Sequence, residues 1–125
     1  MERYYQPEIE TASREQLLDW QNERLASQVR HVWDNVPYYR KKMEEKGLTP
    51  DGVQSVEDLH KLPFLTKDDL RDAYPYGLLG APLKDCIRIQ STSGTTGRRV
   101  VAFYTQHDVD LWEDCCARAI MAAGG

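Results

Sequence analysis

Apolar positions recur at helical spacing through the first part of the chain and switch to two-residue alternation near its far end. Leu18, Leu25, Val29, Val32, Trp33 and Val36 form one stripe, the pattern of a helix that buries a single face. Ser13 and Gln16 make a capping box ahead of it, each side chain able to satisfy a backbone N–H that the first turn leaves free. Pro37 lacks an amide hydrogen and restricts the residue before it, so it ends or sharply redirects that helix. Tyr38 to Lys46 reads as a second, highly charged helix stopped by Gly47.

Leu48 to Gln54 is a turn-rich connection, and Ser55 can cap a short turn running to about His60. Pro63, Phe64 and Leu65 form an extended segment. Thr66 with Asp69 starts a further helix, where acidic residues suit the positive end of the helix dipole. Proline and glycine punctuate Ala73 to Pro82 throughout, which predicts a packed loop.

The texture changes at about Lys84. Cys86 to Gln90 alternates in the manner of a strand, and Val100 to Tyr104 is β-branched and aromatic. A Ser/Thr/Gly loop lies between them. Thr105 with Asp108 then caps a last helix carrying Val109, Trp112, Cys116, Ala119 and Ile120 on one face, with Gly124 and Gly125 to end it. The predicted fold class is α+β, mainly helical with a small β portion. It divides into a helical region over 1–83 and a strand–loop–strand–helix region over 84–125. Two strands alone do not make a stable sheet, so both are expected to need partners from further chain.

Composition narrows the function classes. The chain has 125 residues, 41% hydrophobic and 29% charged, which fits a globular body and neither a disordered nor a membrane chain. Its net charge is −4 and the basic residues alternate with acidic ones, so no nucleic-acid-binding stripe exists. Affinity for a polyanion must come from a local site. No apolar run approaches the roughly 20 residues that cross a bilayer, and the polar start has no signal-peptide core; the expected address is cytoplasmic, with no membrane partner. Cys86, Cys115 and Cys116 have neither disulfide nor metal-ligand spacing and read as small buried or half-buried hydrophobes. His31, His60 and His107 lack partner motifs and read as surface residues. Trp20, Trp33 and Trp112 read as core, Tyr74 and Tyr76 as packing around the Pro/Gly loop, and Lys41, Lys42, Glu44 and Glu45 as a solvated helix face with Lys67 exposed as well.

The candidate site is Thr92, Ser93, Gly94, Thr95, Thr96, Gly97 and Arg98. Two glycines three apart let the backbone take positive φ and approach a ligand closely. Successive N–H groups of such a turn can form an anion-binding nest. The hydroxyls of Ser93, Thr95 and Thr96 add donors, and Arg98 and Arg99 offer forked, permanently charged contacts. It is not a Walker loop, which would end in Gly-Lys-Ser/Thr and open onto a helix, nor the three-glycine dinucleotide fingerprint. On composition alone a Ser/Thr/Gly hairpin loop is more often a turn than a ligand site.

The string from Thr92 to Gly97 resembles the phosphate-binding loop of the adenylate-forming superfamily of acyl-CoA synthetases, luciferases and peptide-synthetase adenylation domains. Asn35–Arg40 (Asn-Val-Pro-Tyr-Tyr-Arg), Leu62–Arg71 (Leu-Pro-Phe-Leu-Thr-Lys-Asp-Asp-Leu-Arg), Tyr74–Gly77 (Tyr-Pro-Tyr-Gly) and Ala122–Gly125 (Ala-Ala-Gly-Gly) are similar to phrases of its phenylacetate–coenzyme A ligase branch, in the same order. The resemblance runs from about Ser13 to the last residue. It departs where these ligases usually carry Gly-Lys-Pro, because this chain has Gly97, Arg98 and Arg99.

The resemblance implies a two-step ligase. A carboxylate attacks the α-phosphate of Mg·ATP to give an acyl-adenylate and pyrophosphate, and coenzyme A thiol then displaces AMP. It implies an incomplete piece of the large domain, with no catalytic residue and no metal ligand of its own. The aryl-acid pocket, the magnesium carboxylate and the mobile carboxy-terminal domain would lie further along a longer chain, a homodimer that takes an aryl acid, ATP and coenzyme A. This stretch alone is expected to be inactive and to hold no cofactor tightly. The rival reading is a non-catalytic binding module that has kept the loop.

Overall fold

The computed structural model describes residues 4–94, 97 and 99–124. A single helical turn, α1 (Pro7–Glu10), precedes the long helix α2 (Arg14–Asn35). Ser13 Oγ accepts from the Gln16 N–H at 3.2 Å and Gln16 Oε1 accepts from the Ser13 N–H at 3.0 Å, which closes the expected capping box. Pro37 redirects the chain without a loop. Val36 adopts φ −122°, ψ 84°, the non-helical geometry that a following proline imposes, and α3 (Pro37–Glu45) starts on the proline itself. Gly47 ends α3 at φ 68°; its N–H donates to Glu44 O at 2.8 Å and the Leu48 N–H donates to Met43 O at 2.9 Å. This paired arrangement uses the left-handed residue to satisfy two carbonyls at the helix end.

Two short 3₁₀ turns follow, Pro50–Gly52 and Val56–Lys61, and then α4 (Lys67–Asp72), capped by Thr66. After the irregular segment 73–82 and a 3₁₀ turn at Leu83–Asp85 come β1 (Cys86–Ser91), β2 (Val101–Thr105) and α5 (Gln106–Ala122). The architecture is mainly helical with one small antiparallel sheet, in the order that the hydrophobic pattern predicts. The turn α1 is an addition to that pattern.

The core sits between α2, α3 and the turn after Pro50. Val29, Met43 and Val53 are its buried centre, with Met43 and Val53 both 0% exposed, and Leu25, Trp33, Tyr39, Leu48 and Leu62 pack around them. Polar ties fasten the connections to this core. The Val56 N–H donates to Asn22 Oδ1 at 2.9 Å, and Tyr39 Oη donates to Pro63 O at 2.7 Å. Asp69 of α4 receives Tyr38 Oη at 2.9 Å and the Lys42 ammonium from α3, while also accepting from the Thr66 N–H at 2.7 Å. Lys42 is therefore half-buried and paired, not part of a solvated face. Its helical position is legible locally, but its partner lies 27 residues away.

In the sheet Ile89 faces Phe103 and Ser91 faces Val101, with a bulge between Cys86 and Arg88. Alternation sends Arg88 and Tyr104 towards α5, where the Tyr104 and Trp112 rings stack 5.6 Å apart and the Arg88 guanidinium lies 5.8 Å over Trp112. Phe103 points the other way, to Tyr76, with ring centroids 5.6 Å apart. On that face Ile87 and Ile89 stay exposed.

The expected buried face of α5 is a partial correction. Val109 is buried, whereas Trp112 is 43% exposed and Cys116, Ala119 and Ile120 are exposed. Among the described residues the partners of α5 include β2, Arg88 of β1 and the amino-terminal segment, where Tyr5 Oη meets Asp114 Oδ1 at 3.3 Å and Arg118 meets Gln6 Oε1. The same geometry corrects the cysteines: Cys86 is half-buried, but Cys115 and Cys116 are exposed. No described helix is long and apolar enough to cross a membrane.

Candidate functional site

The loop between β1 and β2 has a tied neck. The Thr92 N–H donates to Val100 O at 3.0 Å and the Val100 N–H donates back to Thr92 Oγ1 at 3.1 Å. Thr92 thus spends its amide and one lone pair on holding the two strand ends together, and keeps its own hydroxyl hydrogen. Further out, Gly94 sits at φ 71° and Gly97 at φ 142°, both in the positive range that side chains disfavour. The Gly97 N–H donates to Gly94 O at 3.3 Å, closing a four-residue turn.

Gly94 is the tightest point. A Cβ there would stand 2.9 Å from Arg99 Cγ and 3.2 Å from Gly97 O, so the absence of a side chain is what lets the returning strand cross. Ser93 is exposed and its hydroxyl has no partner among the described residues. Thr95, Thr96 and Arg98, also expected in the site, lie outside the described residues. The described part therefore joins Thr92, Ser93, Gly94 and Gly97 in one short arc, with Arg99 folded back over it. Such an arc suits a rounded, multiply charged anion: its described residues bring close backbone, an unpartnered Ser93 hydroxyl and positive charge, and none of them lines an apolar pocket.

The other concave features are elsewhere. A cleft of about 670 Å³ runs between α2, the 73–82 segment and β2, with His31, Tyr74, Gly80, Phe103 and His107 among its walls. Gly80 is packed there, since a Cβ would lie 3.2 Å from His31 Nε2. Tyr74 borders this cleft, and Tyr76 packs on Phe103. A second, apolar groove of about 520 Å³ lies beside α2, with Phe64 exposed to 86% on its rim. Neither is lined by a described residue of the 92–100 loop. Among the described residues no group of three or more His, Cys, Asp and Glu side chains can hold a metal ion.

Electrostatic perturbation is concentrated on the scaffold. The Lys42 ammonium, with Thr66 and Tyr38 donors, holds the Asp69 carboxyl well below the usual carboxylate range. Lys61, at 2.6 Å, with the Gln54 amide, pulls Asp58 down to about 2. The hydrogen bond to Asp69 raises Tyr38, and burial raises Tyr39. Asp69 with Tyr38 and Lys42 ties α3 to α4, and Asp58 with Lys61 and Gln54 closes the Val56–Lys61 turn on itself; these groups are not gathered at a cleft, so they read as structural pairs.

No family model matches the chain. It is 47% identical over 117 residues to a phenylacetate-coenzyme A ligase of Pseudomonas putida, covering 94% of this chain and 27% of that protein. It is 44% identical over 117 residues to the Escherichia coli protein of the same name, again with 94% and 27% coverage. Among solved structures it matches 2-hydroxyisobutyryl-CoA ligase in complex with 2-HIB-AMP and CoA, with TM-score 0.86, 29% identity, and 96% and 26% coverage of the two chains. The same enzyme in its postadenylation state with 2-HIB-AMP gives TM-score 0.87 at 26% identity. The chain spans about a quarter of the length of the relatives it matches, at their amino-terminal part.

Proposed function

The chain belongs to the phenylacetate–coenzyme A ligase family, and from that membership we propose that it is the phosphate-gripping part of an AMP-forming acid–thiol ligase. The substrates of the parent enzyme are phenylacetate or a related aryl acid, ATP with Mg²⁺, and coenzyme A. In the first step a carboxylate oxygen attacks the α-phosphorus, the bond to the bridging oxygen of the β-phosphate breaks, and pyrophosphate leaves with both electrons of that bond. In the second step coenzyme A sulfur attacks the acyl carbon, AMP departs, and the thiol proton passes to solvent. In this proposal the parent acts in the cytoplasm as a homodimer, with residues 1–83 as its helical entry and 84–125 as its first sheet elements.

The residues given the phosphate role are Thr92, Ser93, Gly94, Thr95, Thr96, Gly97 and Arg98. They hold the β- and γ-phosphates in place as charge builds on the departing pyrophosphate, a positional and electrostatic contribution. The observation that carries this is the paired positive-φ glycines under a tied neck, with φ 71° at Gly94 and 142° at Gly97. In this proposal the acid pocket and the remaining catalytic groups belong to the rest of the parent enzyme, and the 125 residues alone lack ligase activity.

The test is AMP release with ATP, coenzyme A and phenylacetate, from the longer ligase containing this segment and from the 125 residues alone. AMP from the longer protein only is expected. Turnover by the short chain overturns its incompleteness. Pyrophosphate binding without AMP from either protein returns the reading to a non-catalytic module.

A further inference from the structure

We propose that Arg99 is a phosphate-contacting residue of this loop, resting on the phosphate reading of Thr92 to Gly97. Three observations place Arg99 at the anion side. Its stem crosses Gly94 on the side where a side chain would stand, 2.9 Å from that point at Cγ, and its own amide nitrogen is 3.8 Å from the same point. An arginine here therefore lays its stem and its backbone nitrogen beside the arc, with a permanently charged fork at the end of that stem.

Arg99 is exposed and makes no ion pair or hydrogen bond with any described residue. Arg30 is paired with Asp51 at 2.7 Å, Arg71 with Asp68 at 3.0 Å, and Arg88 lies over Trp112. Finally, the chain as a whole carries net charge −4, so a multiply charged phosphate gains nothing from the overall field and needs local cations. Arg99 supplies one on the loop that also carries the exposed Ser93 side chain. The ligand class is the polyphosphate tail of a nucleoside triphosphate, or free inorganic pyrophosphate, which share this chemistry.

The experiment is an NMR titration of the 125-residue chain with inorganic pyrophosphate, ATP and AMP, for wild type, Arg99→Ala, Arg99→Lys and Gly94→Ala. Arg99 is exposed, and the amide spectrum of each variant reports that the fold is kept. Arg99→Ala is expected to weaken pyrophosphate and ATP by about fivefold to tenfold, the scale of one exposed charge-assisted contact, and to leave AMP unchanged. Loss for ATP without loss for pyrophosphate places the contact on the nucleotide's tail as it is held in ATP; loss for both assigns it to the shared diphosphate unit. Either supports the proposal. Arg99→Lys falls between wild type and Arg99→Ala if charge carries the contact, and matches Arg99→Ala if the fork does. An Arg99→Ala chain as tight as wild type, alongside a weakened Gly94→Ala, overturns the role of Arg99 and leaves the loop reading standing. Wild-type loop amides indifferent to pyrophosphate overturn both.

Discussion

Gly94→Ala adds one methyl group where the loop is tightest. At φ 71° an L side chain pays for the left-handed conformation, about 1–2 kcal/mol. The new Cβ would also lie 2.9 Å from Arg99 Cγ and 3.2 Å from Gly97 O. Carbon–carbon contacts are comfortable at about 3.5–4.0 Å, so the arginine stem must swing aside. The Gly97 carbonyl has less freedom, because Gly97 also closes the turn through its N–H to Gly94 O. Phosphate binding requires the geometry that Gly94 adopts here, so the strain falls on the bound state. A penalty of about 1–2 kcal/mol then emerges as a fivefold to thirtyfold loss of phosphate affinity, at 1.4 kcal/mol per tenfold. Thermal unfolding should barely move, because Gly94 is remote from the Val29, Met43 and Val53 core. The assay pairs a pyrophosphate titration with a thermal melt. Gly52→Ala serves as control: its Cβ would meet nothing closer than Leu48 Cδ2 at 3.8 Å, so neither readout should change. Unchanged affinity in Gly94→Ala would refute the claim that this backbone geometry makes the binding site.

Met43→Ala removes a side chain with 0% exposure and should cost ~2–5 kcal/mol by urea unfolding, leaving the loop amides in place. Asp69→Ala should lower the melting temperature, and a double-mutant cycle with Lys42→Met should be non-additive because both act on one ion pair. The carboxylate shifts fix the sign of the acid response. Asp58 titrates at 3.8 when unfolded and about 2 when folded, and Asp69 is also held low, so their stabilisation is complete above about pH 4 and lost as pH falls through and below 2. Asp58→Asn and Asp69→Asn should each flatten that part of a melting-temperature profile, whereas an equally steep profile in both variants would assign acid unfolding to other groups.

Local chemistry explains how much of this fold was legible. The caps at Ser13, Thr66 and Thr105 are written within four residues of sequence, and the structure realises each one. Pro37 and Gly47 act through their own backbone restrictions, so their effects are equally local. The turn α1 shows no periodicity in four residues; its one local signal is Pro7 at the first helical position followed by Glu8, too short to predict a helix. The Asp69 hub joins Tyr38 and Lys42 across roughly thirty residues, which no pattern along the chain encodes. Periodicity also marked the Trp112, Cys116 and Ile120 face of α5 correctly as apolar, but an apolar face is buried only if something packs on it. Among the described residues Tyr104 and Arg88 lie on it at Trp112, while Cys116 and Ile120 stay exposed. In the loop, the glycine spacing announced the positive-φ pair. The commitment of Thr92 to the neck and the fold-back of Arg99 depend on how β1 and β2 come into register, so they emerged only in three dimensions.

The most direct measurement of the phosphate reading is where inorganic pyrophosphate acts on the wild-type chain. Backbone amide shifts followed through the titration should change at Ser93, Gly94, Gly97 and Arg99, with smaller changes at the neck residues Thr92 and Val100. Shifts centred instead on the His31 and Tyr74 cleft, or no saturable shift at the loop, would contradict it.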